Sequence, residues 1–261
     1  MWPFELTHKR IYKRMGYELD QKEYYFRYLS EIQNWSQHIL NTKRFIINSA
    51  KRCKEYKTAV VLGSGWCIDV PVMELSRQFE KVYFVDLFHP KKVVQKFSEF
   101  KNITFIEEDI TKIVADTYNS ISRYKNFTVD MLISSPNYTT ADYSDILENF
   151  DFVVSVNTLA FLDNLILEFL VHKELIDDLA SKNLRKFIQS YHLSMLPRNR
   201  SCVITPFRIH RYNIDGLEIS DKALTYLEPE MISNSNDWIW NFSSPHLTSG
   251  SVEYAVKAWN L

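Results

Sequence analysis

TAVVLGSGWCIDVPVMELSRQFEKVYFVDL, from Thr58 to Leu87, reads as strand, glycine turn, helix, strand. Thr58–Leu62 is a short apolar run rich in β-branched residues, the pattern of a strand buried on both faces. Gly63-Ser64-Gly65 follows at once, and the chain has only five glycines. Without a Cβ, glycine takes a positive φ and lets a ligand approach the backbone. Asp69 and Pro71 mark a helix start, proline being tolerated in the first turn where its missing N–H costs nothing. Val72, Leu75 and Phe79 then share one helical face. Val82–Val85 is the second strand, closed by Asp86, 23 residues after Gly63. In a βαβ nucleotide-binding unit, an acid about 20 residues past the glycine turn accepts hydrogen bonds from ribose hydroxyls. A full G-x-G-x-x-G fingerprint would need glycine where the chain has Ile68.

Val60-Val61-Leu62-Gly63-Ser64-Gly65 followed by Val85-Asp86-Leu87 resembles the first two motifs of class I S-adenosylmethionine-dependent methyltransferases. The resemblance implies a three-layer α/β, Rossmann-like fold with a mostly parallel seven-stranded sheet. Its sixth and seventh strands form a terminal hairpin, the last strand antiparallel to the others. It implies S-adenosyl-L-methionine as cofactor, with Gly63, Ser64 and Gly65 under its methionine and ribose portions and Asp86, beside Leu87, on the ribose. It places Asp109 and Ile110, after the third strand, against the adenine. It leaves two departures: Val61 stands where the family commonly has an acid, and Cys67 where it often has a third glycine.

The 261 residues suffice for one large α/β domain, and at 46% apolar they can bury a substantial core. The organisation expected is a helical N-terminal extension over residues 1–56 and a nucleotide-binding domain over residues 57–261. Net charge is −1, so no global field draws the chain to nucleic acid or membrane. This favours a small-molecule acceptor over nucleic acid. Cys53, Cys67 and Cys202 form neither a close pair nor a metal spacing, as in a reduced, cytoplasmic protein without a metal site. No apolar run approaches the roughly 20 residues of a membrane span.

Tyr17–Tyr56 has no glycine or proline and reads as helix, dense in aromatics at Tyr24, Tyr25, Phe26 and Tyr28. A lone amphipathic helix is marginal in water. The stretch is therefore expected to pack over or beside the ligand crevice, with side chains around Tyr17–Trp35 as one wall. Lys9, Arg10, Lys13 and Arg14 make a basic cluster, a solvated face or a contact for an anionic substrate. Lys91–Phe100 reads as a helix, Ile103–Ile106 as the third strand, and Val129–Ser134 as a further strand. Ser135-Pro136-Asn137-Tyr138 only partly matches the N-P-P-Y motif of amino-group methyltransferases, having Asn137 for the second proline. Asp151–Leu159 fits the central fourth strand, turning polar at Ser155 and Asn157, which are expected at the cofactor. Leu162–Leu170 and Leu175–Leu193 are apolar at helical spacing, with His192 near the second helix's end. Ser201–Phe207 is the fifth strand, and Arg208, His210 and Arg211 follow it where anionic groups could bind. Lys222–Leu227 suggests a short helix, and Trp238–Phe242 and Val252–Trp259 two last strands.

The chemistry so implied is methyl transfer to a nucleophile. It needs no dedicated base if the acceptor is already nucleophilic, and Asn157 and His192 are the candidates if one exists. Two alternatives remain: a non-catalytic Rossmann-like binding module, and a nicotinamide-dependent oxidoreductase.

Overall fold

In the computed structural model, which describes residues 9–123, 127–134, 143–245 and 249–261, one twisted sheet organises the chain. Its strands are β1 (Thr58–Leu62), β2 (Lys81–Asp86), β3 (Ile103–Glu107), β4 (Phe152–Val156), β5 (Ser201–Asn213), β6 (Glu218–Ala223), β7 (Asn236–Ser243) and β8 (Gly250–Asn260). The order is β3-β2-β1-β4-β5-β8-β7, with β6 paired to β5 beyond the main sheet. β1 to β5 run parallel, and β8 runs antiparallel between β5 and β7. This is the Rossmann-like sheet with an antiparallel last strand that the methyltransferase motifs imply, extended by the β5–β6 hairpin.

Alternation across the parallel strands separates two cores. Val61, Phe84 and Val154 face α3 (Ile32–Ala50), α4 (Val72–Gln78) and α5 (Lys91–Lys96). Val60, Val85 and Val153 face the other way, toward α8 (Tyr143–Leu147) and the end of α10 (Asp178–Met195). Helices thus cover both faces. A third apolar cluster joins α1 (Lys9–Arg14), α6 (Val114–Arg123), α7 (Val129–Ile133), α9 (Asn164–His172) and α10.

The N-terminal residues are structural partners of the last strands. On α3, Trp35, His38, Thr42, Ile46 and Ser49 are buried at helical spacing. Trp35 is fully buried, its indole N–H donates to the Phe242 carbonyl at 2.9 Å, and its ring meets Trp240 edge-on at 4.8 Å. Ahead of α3, α2 (Tyr17–Ser30) reaches across the sheet's carboxyl edge. At the opposite edge, the Asp151 carboxylate accepts the Lys57 and Thr58 N–H groups, each at 2.9 Å, and pins the start of β1.

Three expectations are corrected. Val129–Ile133 is helix α7, not a strand: five residues, four of them apolar, carry no period that distinguishes the two. The stretch expected as a helix from Lys222 instead opens inside β6, an exposed edge strand whose mostly exposed residues show no apolar alternation. β5 does not stop at Phe207 but continues to Asn213, carrying Arg208, His210 and Arg211 out along the hairpin. The partial N-P-P-Y match lies outside the described residues. Among those described, no helix is long and apolar enough to cross a membrane.

Candidate functional site

Four parallel strands end at one crevice of about 300 Å³, within the range of small-molecule sites. β1 delivers the glycine turn, β2 delivers Asp86, β3 runs into Glu108-Asp109-Ile110, and β4 into Asn157. Helix α2 forms the facing wall with Tyr17, Asp20, Gln21 and Tyr24. It is clamped to the glycine turn by Trp66, whose ring stacks on Tyr25 at 3.9 Å and whose N–H donates to the Gln21 carbonyl at 2.7 Å.

The two glycines of the turn have different tasks. Gly63 has φ +81°, and its N–H donates to the Val85 carbonyl at 2.9 Å. A Cβ there would lie 1.6 Å from Thr158 Oγ1 and 2.8 Å from the Val156 carbonyl oxygen, so Gly63 lets β1 and β4 close. Gly65 has φ +36° and faces the crevice, where a Cβ would lie 3.0 Å from Gln21 Oε1 and 3.5 Å from Asp86 Oδ2. Between them, Ser64 is buried, its hydroxyl 2.9 Å from His89 Nε2. Cys67 sits in the left-handed region at φ +52°, taking at some strain the conformation that glycine adopts freely.

Asp86 hangs over this turn. Its Oδ2 accepts the Gly65 N–H at 2.9 Å. Burial pushes its carboxyl up to about 6, although the backbone N–H groups of Gly65, Phe88 and Leu87 pull the other way. Leu87 and Ile110 line the crevice as apolar surfaces. Asp109 also borders it, but its carboxylate is turned onto the start of α6. Oδ1 accepts the Thr111 N–H at 2.8 Å and hydroxyl at 2.5 Å, and Oδ2 the Val114 N–H at 2.9 Å. The carboxylate expected at an adenine amino group therefore works as a helix cap. Glu108 Oε1 accepts the Tyr143 hydroxyl at 2.7 Å.

Asn157 lies in the crevice wall with φ +49°, a conformation asparagine tolerates. Its amide nitrogen donates to Asp69 in a short contact and lies 3.1 Å from His38 Nε2. His38 is buried, stacked on Trp240 at 3.9 Å, and its Nδ1 accepts the Trp238 indole N–H at 3.0 Å. Burial lowers its pKa, Asp69 opposing, so His38 is neutral with its proton on Nε2. Nothing in the motif comparison pointed to Asp69, His38 or the α2 residues. The helical-face spacing of Trp35, His38, Thr42 and Ile46 is the one sequence signal that places His38 inside.

Ser155, expected at the cofactor, is fully buried instead, its hydroxyl 2.8 Å from His192 Nε2. It lies inside β4, on the face opposite Val154 and Val156, whereas Asn157 lies past the strand's end, where the chain turns into the left-handed region. His192 is likewise buried and outside the crevice walls, its pKa lowered to about 4 by burial. Arg208, His210 and Arg211 are also absent from the crevice walls: Arg208 forks onto Asp221 at 2.9 and 2.7 Å, and His210 Nδ1 meets Glu218 at 2.7 Å. Of the N-terminal basic cluster, Lys9 pairs with Glu107, and Arg14 donates to the Tyr118 hydroxyl at 3.1 Å.

The crevice walls carry five carboxylates, Asp20, Asp69, Asp86, Glu108 and Asp109, and, among the described residues, no lysine or arginine. Three buried polar atoms on these walls have no hydrogen-bond partner: Tyr17 Oη, Gln21 Oε1 and Asn157 Oδ1. Valine at Gly65, strained by the φ of +36°, is expected to cost about 1–2 kcal/mol of stability and to weaken occupancy of this crevice at least tenfold, about 1.4 kcal/mol. Calorimetry of Gly65→Val with S-adenosylhomocysteine checks this, and unchanged affinity in a folded variant would refute the placement of the turn.

No protein-family model and no curated protein matches the chain. Among solved structures, DhpI in complex with SAH matches at TM-score 0.39 and 10% identity, over 96% of this chain and 97% of that one. The 1,6-didemethyltoxoflavin N1-methyltransferase of Burkholderia thailandensis, bound to 1,6-didemethyltoxoflavin and S-adenosylhomocysteine, matches at 0.40 and 9%, over 98% and 92%. An rRNA methylase from Streptococcus thermophilus matches at 0.35 and 11%, over 85% and 96%. At these values nothing about an acceptor passes from them to this chain.

Proposed function

We propose that this protein is an S-adenosylmethionine-dependent methyltransferase acting on a small molecule. The observation that carries the reading is the charge of the crevice at the glycine turn: five carboxylates and no cationic side chain. A dinucleotide would bring a pyrophosphate into that field, which favours positive groups only. S-adenosylmethionine brings a sulfonium and an ammonium against one carboxylate. Asp86 is placed to accept the ribose hydroxyls, Gly63-Ser64-Gly65 to lie under the ribose and methionine portions, and Leu87 and Ile110 to flank the adenine. The Gln21 and Asn157 side chains on the crevice walls each keep a buried oxygen with no hydrogen-bond partner among the described residues.

Bound there, the cofactor supplies an electrophilic methyl on sulfur, delivered in line to a nucleophile while the C–S electron pair stays on sulfur. The protein's contribution is position. Holding the reacting groups aligned can supply several kcal/mol. The Trp66–Tyr25 clamp keeps α2 over the turn.

Titration calorimetry with S-adenosylmethionine, S-adenosylhomocysteine and NAD tests the reading. The two sulfur nucleosides are expected to bind and NAD not to. Binding of NAD alone would overturn it in favour of an oxidoreductase. Binding of none of the three would overturn it as well, leaving a binding module for another ligand.

A further inference from the structure

Asp69 is a buried carboxylate on the crevice wall with no cation beside it. The one basic group within 4 Å among the described residues is His38, 3.8 Å away and held neutral by its burial and by the Trp238 hydrogen bond. Buried charges are normally paired, and an unpaired one is costly. Asn157, also on the crevice wall, donates to Asp69, which fixes the amide, and its oxygen is buried without a hydrogen-bond partner among the described residues.

The surroundings of Asp69 are aromatic as well as acidic. Tyr254 meets Phe242 edge-on at 4.9 Å and Phe161 at 5.8 Å, and all three line the crevice. Tyr24 closes this end from α2; after burial, Asp69, Tyr254 and Asp20 are the neighbours that raise its hydroxyl's pKa. Asp20 stands at the mouth. The cations that act on Tyr254 stand behind this wall: Arg27 lies 5.4 Å from the centre of the Phe242 ring and donates to the Ser243 hydroxyl, and Arg211 is on β5, outside the crevice.

The bound cofactor does not use up this field. Its net charge is one positive unit against five carboxylates, of which Asp109 is spent on α6 and Glu108 on Tyr143. With Asp86 on the ribose, Asp69 and Asp20 remain. Aromatic faces combined with carboxylates are the chemistry that holds an organic cation.

We propose that the methyl acceptor is an amine that enters as its ammonium ion, held by Asp69 and Asp20 against Tyr24 and Tyr254. The ammonium loses one N–H proton to water at the mouth, which frees the nitrogen lone pair that takes the methyl as the C–S electron pair stays on sulfur. This rests on the methyltransferase reading above.

The test is equilibrium binding to the S-adenosylhomocysteine-saturated protein, followed by ligand-observed NMR with phenethylamine, phenethyl alcohol and phenylacetate. The amine is expected to bind at least about tenfold tighter than the alcohol, and phenylacetate not at all. Asp69→Asn, saturated with S-adenosylhomocysteine, should abolish the preference for amine over alcohol. If that variant does not fold, Asp20→Asn, at the exposed mouth, should still reduce the preference at least threefold. Equal or tighter binding of the alcohol or of phenylacetate overturns the amine assignment, as does a preference that survives both substitutions. Those outcomes leave the cofactor reading standing, whereas failure of S-adenosylhomocysteine itself to bind removes both.

Discussion

Replacing Asp86 with asparagine is expected to raise the melting temperature of the ligand-free protein while weakening S-adenosylmethionine binding at least tenfold, about 1.4 kcal/mol. The two effects share one cause. Burial raises the Asp86 carboxyl from 3.8 to about 6. The folded state therefore holds this proton more tightly than the unfolded chain does. The cost of ionising Asp86 is absent below the unfolded value, grows as pH rises through about 4 to 6, and is constant above. Two pH units correspond to at most about 3 kcal/mol at neutral pH. Asparagine escapes that cost, and its side-chain oxygen can still accept the Gly65 N–H. It loses the charge that strengthens hydrogen bonds from the ribose hydroxyls, each worth about 1.5–3 kcal/mol to a charged group. S-adenosylmethionine and S-adenosylhomocysteine should weaken alike, since both carry that ribose. Melting curves at pH 4 to 7 and paired calorimetry decide it. A variant less stable than the parent at pH 7 would count against the buried-charge account, and unequal losses for the two ligands against the ribose contact.

Alanine at Gly63 is expected to cost more than about 4 kcal/mol, most of a typical domain's stability. The methyl would stand 1.6 Å from Thr158 Oγ1, and this hydroxyl is held by the Leu62 and Val156 carbonyls at 3.1 and 2.8 Å. The left-handed φ of +81° adds about 1–2 kcal/mol for any residue with a Cβ. Cutting Thr158 to glycine in the same chain should restore only part, because the Val156 carbonyl oxygen remains 2.8 Å from the new methyl. Urea unfolding of the single and double variants measures both. A Gly63→Ala protein that melts within a few degrees of the parent would mean that the turn is built differently. Gly63 and Gly65 look alike in the sequence, yet the first holds two strands together and the second keeps a ligand surface open.

The parts of the fold legible in the sequence were those with local causes. Thr58–Leu62 and Asp151–Leu159 are apolar runs bounded by polar residues, and the acid after β2 follows from counting. The α2 wall was legible as a need: aromatics at Tyr24 and Tyr28 must be buried, and the open crevice offers the surface. What escaped depended on distant partners. Ser155 and Asn157 are both polar near the end of β4, and what separates them is that β4 stops at Val156, so Asn157 turns at φ +49° into the crevice while Ser155 stays inside the strand and meets His192. Asp109 is an acid after β3 in either reading. Whether it faces a ligand or caps α6 depends on Thr111 and Val114 folding back onto it. Val129–Ile133 is too short to have a period, and β6 is too exposed to need one.

The bond from the Trp35 indole to the Phe242 carbonyl spans 207 positions. Its consequence lies in the order in which the chain is made. Helix α3 leaves the ribosome early, but Trp240, Phe242 and the strand β8 that wedges between β5 and β7 come last. Until about residue 260 has emerged, β5 lacks its central neighbour and the Trp35 face of α3 has nothing to cover it. This part of the assembly therefore waits for β8 and rests on distant contacts, which form slowly. Until β7 and β8 are made, the nascent chain holds the apolar face of α3 exposed, the kind of surface that chaperones shield.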